Sequence, residues 1–322
     1  MNCCSNKPII ELIAGEKLCK NHFIEYFESK VFKTIRQFDL IGKEEHLGVA
    51  LSGGKDSLTL LCLLSKLSKQ NPKIKLTAIA INEGIENYRD KTLETAKNFC
   101  SKNNIPLKIY SFENEFGMSL DNALKILDVK PCTICGIFRR YLLNKKSREL
   151  GFTKLATGHN LDDEAQSVVM NQFKNNMQAS ARLGPKAGND AGTASGTNPV
   201  GNKNFVQRIK PLYFCTEKEV TTYAFINGLM DDFNECPNAV HSYRAGIRDM
   251  LNDFENKFAG TKHSIVNSFL ETLPLLQKQY TQNHIEIKSC DNCGEPSAKE
   301  ICSACNYAER LKQKAELSQI KK

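Results

Sequence analysis

Apolar positions follow two rhythms along the chain. Phe23, Tyr26, Phe27, Val31, Ile35 and Phe38 recur at three- and four-residue spacing, which predicts an amphipathic helix over 23–40. From Glu45 onward, short apolar runs end in glycine and are followed by longer helical patterns. HLGVALSGG reads as a buried strand entering a glycine turn, DSLTLLCLLSKLSK as a mostly buried helix and KLTAIAINEG as a second strand. RDKTLETAKNFCSKNN then reads as a helix and PLKIYSF as a third strand. A helix over 132–150, the strand TKLATGHN and a helix over 162–177 follow. This alternation predicts an α/β fold: a parallel sheet with helices on both faces. Residues 184–204, rich in Gly, Asn, Ala and Thr, read as a loop. Beyond them come a strand in FVQRIKPLYF, a helix in TEKEVTTYAFINGL, helix over 240–284 and a charged tail over 309–322. The expected organisation is a knuckle and linker helix (1–44), the main α/β domain (45–239), a helical extension (240–287) and a second knuckle with its tail (288–322).

Composition narrows the function classes. No apolar run in the 322 residues approaches the roughly 20 needed to span a bilayer. The start, MNCCSNKPII, lacks a basic region followed by an apolar stretch, so a cytoplasmic protein with no membrane partner is expected. A net charge of +8 suits a polyanionic partner. Tryptophan is absent, so stacking on bases would fall to Tyr, Phe or Arg. Thirteen cysteines without a secretion signal point to metal or thiol chemistry rather than a disulfide scaffold. Cys62, Cys100 and Cys215 sit alone among apolar neighbours and read as small core residues. The others cluster.

The most specific motif is Ser52-Gly53-Gly54-Lys55-Asp56-Ser57, directly between a strand and a helix. Two glycines let backbone approach a phosphate. The helix start offers free N–H groups and a positive dipole end, and Lys55 with the hydroxyls of Ser52 and Ser57 completes an anion site. The spacing excludes the GxxxxGK[ST] loop and matches the pyrophosphatase loop SGGxDS, whose enzymes cleave ATP between the α and β phosphates. The next strands end in Asn82-Glu83-Gly84 and Gly158-His159-Asn160, then Asp162-Asp163. In open α/β sheets these loops converge. Gly158 would lie close to adenine or ribose. Asp56 and Asp162 would hold Mg²⁺ on the pyrophosphate, although Asp162 and Asp163 would serve equally as helix caps. His159 reads as catalytic or as a packed polar residue.

Pro131-Cys132-Thr133-Ile134-Cys135-Gly136 places CxxC at a helix start, followed by Arg139 and Arg140. Helix dipole and cations there predict thiols of low pKa. Cys236, in Asn234-Glu235-Cys236-Pro237, is the candidate third member. Three thiolates are too few for closed structural zinc and suit a 4Fe–4S cluster with one iron left open. The rival role is direct: one cysteine as persulfide nucleophile and a second resolving it. Cys290, Cys293, Cys302 and Cys305 have the CxxC…CxxC spacing of a zinc site. Near the start, Cys19 and His22 join Cys3 and Cys4 in a second candidate zinc set. The basic face of the helix after CxxC (Arg139, Arg140, Lys145, Lys146, Arg148) would grip a polyanion together with the two knuckles, or would be a solvated face.

PCTICGIFRR, GHNLDDEAQSVVMN and NECPNA…YRAGIRDMLNDFE resemble the archaeal and eukaryotic enzymes that 2-thiolate tRNA uridine, within the pyrophosphatase-loop tRNA thiolases. The resemblance covers nearly the whole chain and is greatest to the branch acting on wobble uridine 34. The branches acting on uridine 54 and on cytidine are near relatives. It implies adenylation of the C2 oxygen by Mg²⁺-ATP, with sulfur delivered at the three-cysteine site. By position, ATP falls to Ser52, Gly53, Gly54, Lys55, Asp56, Ser57, Ile81, Gly158, Asp162 and Arg139. Catalysis falls to Lys55, Asp56, Cys132, Cys135 and Cys236, the last three also holding the cluster. tRNA is the implied partner, a sulfur carrier protein or free sulfide the donor, and a homodimer the assembly considered. One departure stands out: the family has CxxC near its start where this chain has adjacent Cys3 and Cys4. The rival readings are an amidating or lysidine-forming ligase, which needs no CxxC with a distant Cys, and a zinc-stabilised RNA-binding module without catalysis.

Overall fold

A computed structural model describes residues 4, 6–188, 205–229, 235–240, 242–281 and 288–320. Cys3, and the part of the predicted 184–204 loop beyond residue 188, lie outside the described residues. A short hairpin, β1 (Ile10–Glu11) and β2 (Lys17–Leu18), leads into α1 (Lys20–Gln37). The predicted stripe buries Phe23, Phe27, Val31 and Ile35, while Tyr26 and Phe38 stay half-buried.

The main domain alternates as expected: β3 (Glu45–Ala50), α2 (Lys55–Gln70), β4 (Ile74–Asn82), α3 (Arg89–Lys102) and β5 (Leu107–Ser111). Two short helices, α4 (Phe112–Phe116) and α5 (Leu120–Ile126), were not predicted. They precede α6 (Pro131–Glu149), β6 (Lys154–Ala156), α7 (Leu161–Phe173) and α8 (Met177–Ser180). β7 (Lys186–Ala187), β8 (Gln207–Ile209) and α9 (Glu217–Ile226) complete it. The sheet order is β5-β4-β3-β6-β8-β7, parallel except for the β7–β8 pair. Leu47, Val49, Ile79 and Ala80 are wholly buried, as central parallel strands covered on both faces require. α2 packs on one face with α1 and α9, where the Phe27 and Tyr223 rings stack at 4.6 Å. α6 covers the other face, its Ile134, Phe138 and Leu142 wholly buried. Cys100 and Cys215 are buried and Cys62 half-buried, the packing role read for them.

Two expectations need correction. The single helix over 240–284 is two, α10 (Tyr243–Lys257) and α11 (Thr261–Thr281), broken before Gly260, whose φ is +93°. Both pack on α7. The charged tail is helical: after the hairpin β9 (Lys288–Ser289) and β10 (Pro296–Ser297), α12 (Ser303–Ile320) buries Leu311 against α5 and α6. The four knuckle cysteines share that same apolar cluster. Among the described residues no helix is long and apolar enough to cross a membrane.

Candidate active site

The loop between β3 and α2 is held by its own hydroxyls. Ser57 Oγ accepts from the Ser52 amide at 3.1 Å and donates to the Gly54 carbonyl at 3.0 Å, and the Ser52 and Ser57 hydroxyls lie 3.0 Å apart. Ser57 is buried, so its hydroxyl closes the loop. Gly53 sits at φ +84°, and a Cβ there would stand 1.9 Å from the Thr92 carbonyl oxygen. No other residue fits. Gly54 precedes the helix with no side-chain cap, leaving the first amides of α2 free for an anion.

Arg89 is a part of this loop that motif reading missed, since an arginine opening a charged helix looks solvated. It is buried. Its guanidinium donates to the Ser52 carbonyl, to Thr92 Oγ1 at 3.0 Å and to the Ile81 carbonyl at 2.8 Å, and pairs with Glu83. Ile81, expected beside ATP, has its side chain in the core and its carbonyl held by Arg89. Arg139 reaches from α6 to the same Glu83 at 3.7 Å while half-exposed.

Lys55 Nζ lies 3.1 Å from Asp56 and 2.9 Å from Glu217. Burial works against its charge, but the two carboxylates outweigh this and Lys55 is pushed up to about 12. Asp56 also accepts from Asn160 Nδ2 at 3.0 Å. Asn160 caps α7 in a capping box with Asp163. Gly158 packs backbone to backbone: a Cβ would meet Asp56 and Ser57 main-chain atoms at 3.0 Å. Its small size therefore docks the β6 loop onto the first turn of α2.

Both aspartates at the start of α7 are held by neighbours. Asp162 is buried and pairs with Lys262 of α11, while its second oxygen accepts from the Glu217 amide at 2.7 Å. Its charge and lone pairs are already engaged by the fold. Asp163 accepts from Arg244 and from the Asn160 amide, each at 3.3 Å, with about a third of its side chain exposed. Burial pushes its carboxyl up to about 6, Arg244 opposing and the Asp56 carboxylate adding to the rise. Both line the same cavity with Asp56 but hold different partners, which a linear motif does not resolve. His159 lies 2.9 Å from Thr157 Oγ1. The surrounding protein, then Lys210, Arg244, Arg139 and Arg208, hold its imidazole below the ordinary pKa, so it is neutral at pH 7.

Cys132, Cys135 and Cys236 converge: thiolates at Cys132 and Cys236 would each raise the pKa of Cys135. Cys132 Sγ also faces the Asn238 carbonyl at 3.6 Å. The expectation of low pKa fails at Cys135. Burial pushes Cys135 up to about 12 despite Arg139 beside it, and burial raises Cys236 too. Desolvation of a thiolate outweighs the helix dipole and one half-exposed cation.

Among the described residues, two groups bring every ligand atom within 4.8 Å of one another: Cys290, Cys293, Cys302 and Cys305, and Cys4, Cys19 and His22. That spacing suits one ion per group. The three-cysteine site is not among them, in keeping with thiolates that bind different irons of one cluster. In the C-terminal knuckle, backbone amides of Cys302 and Cys305 donate to Cys290 Sγ at 3.2 Å and Cys302 Sγ at 3.4 Å. Glu295 ties it to Asn144 at 3.0 Å and to Arg148 on α6.

One cavity of about 1800 Å³ is lined by Ser52, Gly53, Gly54, Lys55, Asp56, Asp162, Asp163, Glu217 and Cys236. The motif loop and one of the three cysteines thus face shared space. Parallel sheet, glycine loop and helix start define a PP-loop nucleotide-binding protein, and the PP-loop domain family ATP_bind_3 matches residues 25–253. A solved structure described as the U34-tRNA thiolase NcsA of Methanococcus maripaludis with its 4Fe–4S cluster superposes with TM-score 0.78. It is 36% identical, covering 96% of this chain and 95% of that one. The tRNA 2-thiolation protein NcsA of Haloferax volcanii is 33% identical over 307 residues, 92% of this chain and 94% of its own. The tRNA-5-methyluridine(54) 2-sulfurtransferase of Pyrococcus horikoshii is 35% identical over 305 residues, 94% and 92%. The chain belongs to the family of PP-loop tRNA 2-thiolation proteins.

Proposed function

We infer that this protein is an ATP-dependent tRNA 2-sulfurtransferase acting on uridine 34. The observation that carries the reading is the single cavity bounded by both the Ser52–Asp56 loop and Cys236: activation and sulfur delivery need one shared space. A uracil C2 carbonyl is a weak electrophile with a poor leaving group. Attack of the C2 oxygen on the α-phosphate of ATP forms an O–P bond and releases pyrophosphate. A sulfur nucleophile then adds at C2, and the oxygen leaves with AMP.

The residues divide this work. The free amides of α2 and Lys55 receive phosphate charge as it shifts. Asp56 and Asp163, close enough to feel each other's charge, form the acidic pair suited to Mg²⁺. Asp162, already paired with Lys262, orients α7 instead. Cys132, Cys135 and Cys236 fit a 4Fe–4S cluster by donor chemistry, and a bound cluster would supply an open iron for sulfide. Cys290, Cys293, Cys302 and Cys305 suit Zn²⁺, and Cys4, Cys19 and His22 offer three further ligands. The test is mass spectrometry of tRNA nucleosides from a deletion strain, with positions mapped. Loss of 2-thiouridine at position 34 is expected. Loss confined to position 54 would move the chain to the other branch, and unchanged thiolation at both would remove the function.

A further inference from the structure

Two arginines on the far face of the sheet have no carboxylate partner among the described residues. Arg140 lies on α6 one turn after Gly136, and its guanidinium folds back toward the CxxC end: a Cβ on Gly136 would stand 2.9 Å from its Nη1. Arg208 is the middle residue of β8, paired with Leu155 of β6 and Ala187 of β7. The two are brought together by register. The Val206 amide donates to Asn144 of α6 at 3.1 Å. From that contact, two residues along β8 is Arg208 and one turn back along α6 is Arg140. Two strand residues advance about 6.6 Å and one helical turn about 5.4 Å, so the two residues stay nearly level, and Arg208 feels the charge of Arg140.

Neither has a hydrogen-bond or ion-pair partner among the described residues, in contrast to Arg89, Arg139, Arg148, Arg244 and Arg248, each paired with a carboxylate. Desolvation, then Arg139, hold Arg140 below the ordinary arginine value, and desolvation, then Arg140, do the same to Arg208. Two crowded like charges without a counter-charge are unfavourable until an anion arrives. Arg140 remains open to solvent, so one can arrive.

We propose that Arg140 and Arg208 form a seat for a backbone phosphate of the tRNA beside the nucleotide being thiolated, which rests on tRNA being the substrate. Paired guanidinium forks match the oxygens of a phosphodiester. The phosphates of ATP are the other source of this chemistry. They belong at α2, and α2 packs on the sheet face that carries Ile209. Arg208 projects from the opposite face, that of Val206 and the α6 residue Leu143. From the middle of α6, Arg140 reaches back toward the turn that carries Cys135.

The experiment measures binding of fluorescein-labelled tRNA by anisotropy across a salt series, with Mg²⁺-ATP binding measured separately, for wild type, Arg140→Gln, Arg208→Gln, the double variant and Arg140→Lys. Each Gln change should lower the slope of log affinity against log salt by about 0.7–0.9 and the double by about twice that, with ATP affinity unchanged. Arg140→Lys should keep the wild-type slope. Thermal midpoints should not fall, because an unpartnered charge is being removed. An unchanged tRNA slope in the double variant would overturn the seat, as would weakened ATP binding with tRNA binding intact. Wild-type protein that binds no tRNA would instead overturn the substrate.

Discussion

The two cysteine centres that meet α6 are built in opposite ways. In the C-terminal knuckle four sulfurs lie within 4.8 Å of one another, backbone amides point at them, and Cys290 and Cys302 are buried. At the other centre three sulfurs converge loosely, Cys132 is exposed and Cys135 and Cys236 are half-buried. The carboxylates differ less: Asp162 is buried with Lys262 and an amide, Asp163 is partly exposed with Arg244 and an amide, and both line the cavity with Asp56. A centre closed by the fold can only support the fold. A centre left incomplete has room for a reacting partner.

Breaking the open cysteine centre should have the largest effect. Cys132→Ala, Cys135→Ala or Cys236→Ala should lower thiolation roughly 10³-fold or more, as expected for residues acting as a unit, and abolish iron binding in anaerobic protein. The thermal midpoint should stay within about 3 °C of wild type. Cys302→Ala should do the reverse, lowering the midpoint by roughly 6–12 °C through a loss of about 3 kcal/mol while iron at the other site remains. Full thiolation by iron-free protein, with persulfide on one of the three cysteines, would show that the open centre is a nucleophile and not a cluster site.

Next in size is the closed carboxylate. Lys262→Met leaves Asp162 buried and unpaired, which should cost about 3–5 kcal/mol of stability in denaturant unfolding. A loss under 1 kcal/mol would mean that Asp162 is open after all. The corresponding change on the open side, Lys55→Ala, should lower kcat about 10²-fold, with a normal circular dichroism spectrum. Unchanged kcat would remove the loop from the chemistry.

The smallest effect concerns pH. Asp163 has its folded pKa raised from 3.8 to about 6, so the folded chain holds this proton more tightly than the unfolded one. The resulting stability is fully present below about pH 4 and is lost as pH rises through about 6. Relative to Asp163→Asn, the wild-type midpoint should therefore fall between pH 4 and 6. Parallel curves would place Asp163 in water.

The parts legible in the chain were those set by neighbours in sequence. Apolar runs ending in glycine placed β3, β4 and the Ser52–Ser57 loop, and cysteine spacing placed the C-terminal knuckle. What tertiary burial decides was not legible. Cys135 carries every local sign of an acidic thiol, yet the desolvation that reverses it comes from packing. Asp162 and Asp163 are neighbours with identical chemistry, and only α11, a hundred residues on, separates their roles. Arg89 looks like a surface charge until the loop, the end of β4 and Glu83 close around it. The residues after 309 read as a charged tail because one buried leucine, Leu311, is too sparse a signal beside so many charges.

The docking of the knuckle on α6 also sets an order of events at the ribosome. Glu295 bonds Asn144 across 151 positions of chain, and the apolar face of Ile134, Phe138 and Leu142 is shared with Cys290, Cys302 and Leu311. At synthesis rates of roughly 5–20 residues per second, α6 waits about 8 to 30 s for its cover. Through that interval the part of the α6 face that the knuckle covers stays open beside Cys132 and Cys135, which makes residues 288–320 the segment that ends its exposure to aggregation and oxidation.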